Sequence, residues 1–341
     1  MSKKFLDSES GVKSIQYSFD NRTWFTGSAV SVDENKTVYF KVTDNAGNVT
    51  EKSVVVSNID KIAPGKPVAS ADITAVTNQD VTVSTTFSND TVVKEYSFDN
   101  KNWKSYTSGI KFEQNGIVYF RGTDEAGNIS EVTTYQVTNI DKVAPTFDVS
   151  RNTEALTNQN VILNVAAEDN ASGIKSVKYS FDNSSWISGS TVNVDSNKTV
   201  YFKVTDNAGN VTEKSVVVSN IDKIAPDKPA ASANITTVTN RDVTVSAAFS
   251  NDSVIREYSF DCKTWLTYTT GIVMENNGSV YFRGQDAAGN WSDVTTYQVT
   301  NIDRSGPDAP VIYASTRTAQ IGLFICTGIL LAFDGARQIF V

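Results

Sequence analysis

Aspartates are the residues of this sequence whose spacing suggests a chemical role. Four of them stand 81 residues apart, each at the end of an Asn-Ile-Asp segment: Asp60, Asp141, Asp222 and Asp303. Other aspartates recur in the loops of each interval, and an asparagine closes every Asp-x-Ala-Gly-Asn turn. Carboxylate and amide oxygens suit Ca²⁺, which takes roughly six to eight oxygen ligands. Carboxylate pairs are also the groups that hydrolyse glycosidic bonds.

Other kinds of site are disfavoured by composition. The chain has no histidine, Cys262 replaces an asparagine of the other repeats, and Cys326 lies outside the repeats. The two cysteines are therefore interpreted as incidental thiols rather than as a redox or metal pair. Because the acids recur in every repeat, whereas a catalytic cleft is normally built once, we expect no enzymatic activity. A net charge of −8 without dense basic runs argues against nucleic acid as a partner.

The aspartates belong to a tandem array. Residues Asn35 to Pro64 return unchanged at Asn197 to Pro226, and related segments begin at Val118 and Val280. The repeat interval predicts three complete domains, called domain II (61–141), domain III (142–222) and domain IV (223–303). Domain I (1–60) is expected to lack its first two strands, as in a chain cut at its start, and 304–341 begins a further unit.

Each repeat carries the pattern of short strands. Val38, Phe40 and Val42 alternate with polar or amphipathic residues, which is typical of a half-buried strand. Gly47 then provides the positive φ of a tight turn. About seven such strands per domain, with turns at regular intervals, predict an all-β fold of tandem immunoglobulin-like β-sandwich domains in a linear array.

A tryptophan follows an Asp-Asn or Asp-Cys corner once per repeat, at Trp24, Trp103, Trp186 and Trp265. An aromatic side chain at one fixed position per domain predicts a core anchor that packs the two sheets together. A platform on which a sugar ring stacks is the alternative interpretation.

The sandwich topology places the acids of two loops at the end where the chain enters each domain. Those acids should therefore face the connector aspartate of the preceding domain, together with Asn128, Asn210 or Asn290. Three candidate Ca²⁺ sites follow: Asp60 with Asp90 and Asp124, Asp141 with Asp169 and Asp206, and Asp222 with Asp252 and Asp286. The competing interpretation is that these residues serve only turn formation and solubility.

The C-terminal segment departs from the repeat. From Ala319 onward an apolar run replaces the expected turn and strand. Its core, Ile321 to Phe333, has 13 residues, fewer than the roughly 17 to 25 that cross a bilayer. We interpret it as an aberrant terminus rather than as a membrane anchor.

Three motifs together resemble the bacterial Ig-like repeats of large surface adhesins and biofilm-associated proteins. They are the Tyr-Ser-Phe-Asp-Asn-x-x-Trp corner, the Val-Tyr-Phe-x-x-x-Asp-x-Ala-Gly-Asn hairpin and the Asn-Ile-Asp-Lys-x-Ala-Pro connector. The resemblance covers about residues 7 to 310. It implies an extracellular or cell-surface location, and junctions rigidified by calcium through Asp124, Asp206, Asp286 and Asp60, Asp141, Asp222.

The expected function is a stalk or spacer whose partners are neighbouring units of a longer chain and an unknown surface or carbohydrate ligand. The alternative is a set of accessory carbohydrate-binding modules of a secreted glycoside hydrolase. A non-functional remnant of such a gene is a third possibility.

Overall fold

The computed structural model describes residues 9–311 and the backbone of 332–334 and 337–339. Every regular element in these residues is a strand, and the prediction of tandem all-β Ig-like domains is confirmed. One compact unit runs to Ala155 and includes Gln159–Ile221, and a second combines Leu156–Asn158 with the chain from Asp222 onward. Asp7, Cys326 and the apolar run from Ala319 to Leu331 lie outside the described residues, so the interpretation of the tail stays a prediction.

Domain I contains one four-stranded antiparallel sheet in the order β2-β1-β3-β4. Its strands are β1 (Val12–Ser18), β2 (Phe25–Thr26), β3 (Lys36–Asp44) and β4 (Val49–Val56). The complete domains contain this sheet and a second, three-stranded one. Domain I was expected to lack two strands of that second sheet. The structure also shows no strand at 29–32, the segment that corresponds to the third strand of the three-stranded sheet in the complete domains.

Domain II contains seven strands in two sheets, with the orders β5-β6-β9 and β8-β7-β10-β11. The strands are β5 (Val68–Ala71), β6 (Val81–Thr86), β7 (Val93–Ser97), β8 (Lys104–Ser105), β9 (Ile110–Phe112), β10 (Gly116–Thr123) and β11 (Thr133–Val137).

Domains III and IV repeat this arrangement, with the orders β12-β13-β16 and β15-β14-β17-β18, then β19-β20-β23 and β22-β21-β24-β25. In domain III the strands are β12 (Thr146–Arg151), β13 (Val161–Glu168), β14 (Ile174–Ser180), β15 (Ile187–Ser188), β16 (Thr191–Val194), β17 (Lys198–Asp206) and β18 (Val211–Val218). In domain IV they are β19 (Ala230–Ala233), β20 (Val243–Ala248), β21 (Ile255–Ser259), β22 (Leu266–Thr267), β23 (Ile272–Met274), β24 (Gly278–Gln285) and β25 (Thr295–Val299). Two short strands pair near the C-terminus, β26 (Ala332–Asp334) and β27 (Arg337–Ile339).

The core of each complete domain lies between its two sheets. Successive side chains on a strand point to opposite faces, so the predicted inward set of β17 is Val200, Phe202 and Val204. All three are fully buried, and they pack against Val161 and Leu163 of the opposite sheet. Phe120 and Phe282 occupy the same position in domains II and IV. The inward face predicted from alternation is therefore confirmed.

The connector that ends each domain is fixed to it by one asparagine. Asn197 accepts a hydrogen bond from Ile221 N at 2.9 Å, and its Nδ2 donates to Ile221 O at 2.8 Å. Asn35, Asn115 and Asn277 hold Ile59, Ile140 and Ile302 in the same way. Because the side chain imitates the pairing of a strand neighbour, the connector aspartate one residue later has a defined position.

The corner after the first strand of the four-stranded sheet is built around an aspartate. Asp99 Oδ1 accepts hydrogen bonds from Asn102 N at 2.7 Å and Lys101 N at 2.9 Å. These bonds hold the pKa of Asp99 well below its usual value, with the Asn102 amide as the largest cause. Asn100, which lies between Asp99 and Lys101 in the sequence, adopts a φ of 57°. This left-handed region favours Gly or Asn, whose short polar side chain tolerates it.

We expect Cys262→Asn to stabilise domain IV by about 0.5 to 1 kcal/mol. Cys262 holds the left-handed corner position with φ 58°, where the other three domains have asparagine, and its side chain is exposed. No packing is therefore lost. The measurement is hydrogen exchange in β21 of the full chain. Asn100→Cys is the matched control and should accelerate exchange in β7; equal effects of the two changes would contradict the prediction.

Candidate metal site

The turn between the last two strands of a domain fixes one carboxylate. Asp206 Oδ1 accepts hydrogen bonds from Gly209 N at 2.7 Å and Asn210 N at 2.8 Å, and Oδ2 accepts one from Asn210 Nδ2 at 2.7 Å. Gly209 makes the turn possible with a φ of 99°. Asp206 is fully buried. Asp124 and Asp286 are buried in the corresponding turns and bonded to Asn128 and Asn290.

The connector contributes a second carboxylate, that of Asp141. Its amide donates to Thr77 O at 2.9 Å and its Oδ1 accepts from Val143 N at 3.0 Å. Asn210, which closes the turn of Asp206, donates from Nδ2 to Asp141 O at 3.0 Å. Asp141 is only 7% exposed, and its Oδ2 is buried without a hydrogen-bond partner. Such an atom is costly to bury unless a ligand satisfies it.

The third carboxylate comes from the loop between β13 and β14. Asp169 Oδ1 accepts hydrogen bonds from Gly173 N at 2.7 Å, Ser172 N at 2.8 Å and Ala171 N at 3.2 Å. These amides keep the pKa of Asp169 below its usual value, the Gly173 amide most of all. Since the amides all donate to Oδ1, the side chain is held in one orientation.

These three carboxylates converge. One oxygen from each of Asp141, Asp169 and Asp206 lies within 4.8 Å of the other two. No lysine or arginine in the described part of the chain forms a salt bridge with them, and Lys142, next to Asp141, pairs with Asp80 instead. Ca²⁺ holds oxygens at about 2.3 to 2.6 Å, so two ligands of one ion stand up to roughly 5 Å apart. The donor set, its spacing and the unsatisfied Oδ2 all fit such an ion.

The other two predicted sets are not brought together within that distance in residues 9–311. Asp60, Asp90 and Asp252 are exposed, and Asp222 is half-buried. Asp90 accepts a hydrogen bond from Ser88 Oγ at 2.5 Å within its own loop. In both domains the asparagine of the turn still contacts the connector, since Asn128 and Asn290 donate from Nδ2 to the backbone oxygens of Asp60 and Asp222 at 3.2 and 2.9 Å.

The sequence contains the signal that separates the three sets. Counted from the valine that begins the preceding strand, Asp169 aligns with Asn89 and Asn251, and the aspartates of those loops come one residue later. The loop of domain III also ends at Gly173, which has a φ of 78°. The loop aspartates Asp90, Asp169 and Asp252 are therefore not equivalent, because Asp169 comes one residue earlier in its loop.

Part of the chain is similar to a known protein family. Residues 5–61 match a family described as bacterial Ig-like domain. For residues 5–61, the match confirms the bacterial Ig-like part of the resemblance drawn from the sequence motifs. None of the curated proteins compared matches the chain.

Solved structures similar to the chain include a tetra-tandem repeat in the extending region of a large adhesion protein. The identity is 16%, over 87% of this chain and 92% of that one, with a TM-score of 0.25. Fibronectin(III)-like modules of Clostridium thermocellum CbhA show 17% identity over 46% of this chain and 95% of theirs, with a TM-score of 0.26. Within the described residues, no helix has the length and hydropathy to cross a bilayer.

The corner tryptophans of these Ig-like domains do not lie in the core, so their interpretation as core anchors is wrong. Each is half-buried on the outer face of the four-stranded sheet. A cation from the outward-facing strand position covers one ring face, at distances of 4.0 to 4.3 Å: Lys41 on Trp24, Arg121 on Trp103, Lys203 on Trp186 and Arg283 on Trp265. Trp291 stacks on the same Arg283 at 3.9 Å. A sugar would find one face of each corner ring already occupied.

Proposed function

We propose that the chain is a non-enzymatic stalk segment of a bacterial cell-surface or secreted adhesin-like protein. We also propose that one Ca²⁺ ion stiffens the junction between domains II and III. The convergence of Asp141, Asp169 and Asp206 around a buried, unsatisfied oxygen carries the metal proposal. The stalk proposal is supported by the repetition of equal modules and by the bacterial Ig-like match. The partners of the proposed stalk segment are neighbouring units and an unidentified surface or carbohydrate ligand.

Calcium is favoured because the site offers oxygen alone. With no histidine and no cysteine among the donors, the site lacks the nitrogen and sulfur ligands preferred by zinc and copper. Mg²⁺ demands near-octahedral geometry and retains its waters, whereas Ca²⁺ accepts irregular sets of carboxylates and carbonyls.

Binding at this place would act on the angle between the domains. Asp141 belongs to the connector, whereas Asp169 and Asp206 belong to loops of domain III. Direct contacts already cross the junction, since Asn78 N donates to Ala208 O at 3.1 Å. Three unpaired carboxylates repel one another, and a divalent ion turns that repulsion into attraction. A stalk with calcium would therefore bend less at this junction.

We expect the chelator-treated chain to bind one Ca²⁺ per molecule, measured by equilibrium dialysis with ⁴⁵Ca and by calorimetric titration. Asp169→Asn should weaken binding at least tenfold. Asparagine keeps the oxygen that accepts the loop hydrogen bonds, but replaces the other oxygen with a donor that repels a cation.

Asp90→Asn is the matched control, because Asp90 is in the corresponding loop of domain II but does not form a group with Asp60 and Asp124 within 4.8 Å in the described residues. It should leave binding unchanged. Three ions per chain would show that the other two sets also bind, and no bound ion would overturn the metal proposal while leaving the stalk proposal intact. The stalk proposal is tested separately by X-ray scattering of the chain with chelator, because maximum dimensions near those of one globule would contradict an extended spacer.

A further inference from the structure

The connector that supplies Asp141 to the proposed calcium site also carries a competitor for that site. Lys142 follows Asp141 directly in the sequence, and consecutive Cα atoms stand only about 3.8 Å apart. The ammonium of a lysine ends a flexible four-carbon stem and forms ion pairs with carboxylates. Because the carboxylates of Asp169 and Asp206 converge on that of Asp141, an ammonium at this position could occupy the site in place of a metal ion.

In the structure this ammonium is directed elsewhere. Lys142 Nζ donates to Asp80 Oδ1 at 2.5 Å, and Lys111 Nζ pairs with Asp80 Oδ2 at 2.6 Å. Asp80 directly precedes β6, so the three-stranded sheet of domain II fixes its position. The side chain of Asp80 is 29% exposed, and ion pairs that are partly buried are screened less than exposed ones. Asp80 thus binds Lys142 outside the group of three carboxylates.

The other complete domains support a link between this acid and the cation after the connector aspartate. In domain IV, Asp242 occupies the position of Asp80 and pairs with Arg304, which follows Asp303. In domain III the same position holds the uncharged Asn160. The three junction acids predicted to follow domain III do not converge within the described residues. The acid is therefore present before the converged carboxylates and absent before the junction that lacks them.

We infer that Asp80 is a positioning residue for the proposed metal site, because it holds the ammonium of Lys142 away from the three carboxylates. This inference rests on the calcium binding proposed above and adds a residue that does not contact the ion. Without Asp80, Lys142 turns toward the carboxylates, and a calcium ion must displace it before binding. Asp80 therefore raises the affinity for calcium by removing a competitor.

Two other roles of Asp80 predict different results. If the ion pair mainly braced the connector, the loss of either partner would weaken calcium binding equally. If the charge of Asp80 acted only at a distance, the removal of either lysine that pairs with it would compensate for its loss. The diversion of Lys142 predicts instead that only the removal of Lys142 restores binding.

The first experiment is calorimetric titration of calcium into the chelator-treated full chain and its variants. Asp80→Asn should weaken binding about tenfold, as expected for two ligands that exclude each other from one site. Lys142→Met should leave the affinity unchanged, and it should restore the affinity when combined with Asp80→Asn. Lys111→Met combined with Asp80→Asn is the matched control, because it has the same net charge and should remain as weak as Asp80→Asn alone.

A second experiment locates the ammonium without any metal. A carbodiimide joins an amine to a carboxylate that it contacts, and mass spectrometry identifies the linked peptides. In the chelator-treated chain Lys142 should link to Asp80, and in the Asp80→Asn variant it should link to Asp169. Asp169 is the suitable reporter because its segment occurs once in the chain, whereas Asp206 lies in the duplicated segment.

The outcomes separate this inference from the metal proposal. A chain that binds no calcium would overturn the metal proposal. Calcium binding that is insensitive to Asp80→Asn, or equal rescue by Lys142→Met and Lys111→Met, would overturn the inference alone. A link between Lys142 and Asp169 in the unchanged chain would also overturn it, because Asp80 would then not hold the ammonium away.

Discussion

Phe202→Ala is expected to lower the free energy of unfolding of domain III by about 3 to 5 kcal/mol, the cost of truncating a fully buried phenylalanine. The same change at Phe40 should lower that of domain I by less than half as much. Both residues occupy the centre of an identical strand, KTVYFKVTD. Phe202 is fully buried between two sheets, whereas Phe40 is half-buried on a single sheet. The comparison therefore isolates the contribution of the second sheet.

The measurement is native-state hydrogen exchange of the full chain with β14 and β1 as reporters of the two domains. The strands that carry the substitutions are poor reporters, because residues 35–64 and 197–226 give identical peptides. Tyr201→Ala and Tyr39→Ala, on the outward face of the same strands, are the controls, and their costs should be similar in the two domains. Equal costs for Phe202→Ala and Phe40→Ala would mean that domain I has a core the structure does not show.

Much of the fold follows from local sequence. The alternation of Val118 and Phe120 with polar residues identified the inward face, and the Asp-x-Ala-Gly-Asn turn identified the hairpin. Both depend on short-range rules, namely the two-residue period of a strand and the positive φ of glycine. Strand number was predictable for the same reason, since turns punctuate the repeat at regular intervals.

The position of the tryptophans was not predictable in this way. An aromatic residue after a left-handed corner can point to either side of the sheet, and its place depends on the partner available there. Arg121 and Lys203 face outward because Phe120 and Phe202 beside them face inward. The cations therefore offer Trp103 and Trp186 a stacking surface outside the core.

The candidate site was predictable only in part. Topology correctly indicates that connector and loops meet at one end of a domain, but the meeting of three oxygens depends on loop register. A one-residue shift changes which groups orient the carboxylate: Asp169 accepts a hydrogen bond from the Gly173 amide, whereas Asp90 accepts one from the Ser88 hydroxyl. Such a shift is visible in an alignment of the repeats, whereas its effect on oxygen positions requires the structure.

One position in the core differs between domain III and its neighbours, domains II and IV. Val204 of domain III corresponds to Gly122 of domain II and Gly284 of domain IV. In domain II the space beside Gly122 is filled by Thr91, which is buried. In domain III the strand itself carries a side chain at this position, because Val204 is fully buried in the core. The two domains therefore place their side chains in this part of the core from different positions.

Gly122→Val is accordingly expected to destabilise domain II by about 3 kcal/mol, the upper end of the cost of overpacking a core. A Cβ added at Gly122 would lie 2.7 Å from Thr91 Cγ2 and 2.9 Å from Thr91 Oγ1, well inside contact distance. Thr91→Ala removes both atoms, so the double variant should recover at least half of the loss. Valine at this position is tolerated in domain III, which shows that the fold accepts the residue and that only the local filling opposes it.

Hydrogen exchange in β7 and β10 of the full chain would give the four free energies of a double-mutant cycle. The coupling between Gly122→Val and Thr91→Ala should be favourable by more than about 1 kcal/mol, as expected for residues in direct contact. Additive effects would show that the strain in the single variant is relieved elsewhere. Such a result would contradict the argument that Thr91 in the loop and a valine in the strand compete for the same space. It would also remove the physical reason why alternate domains differ in the loop and in the strand together.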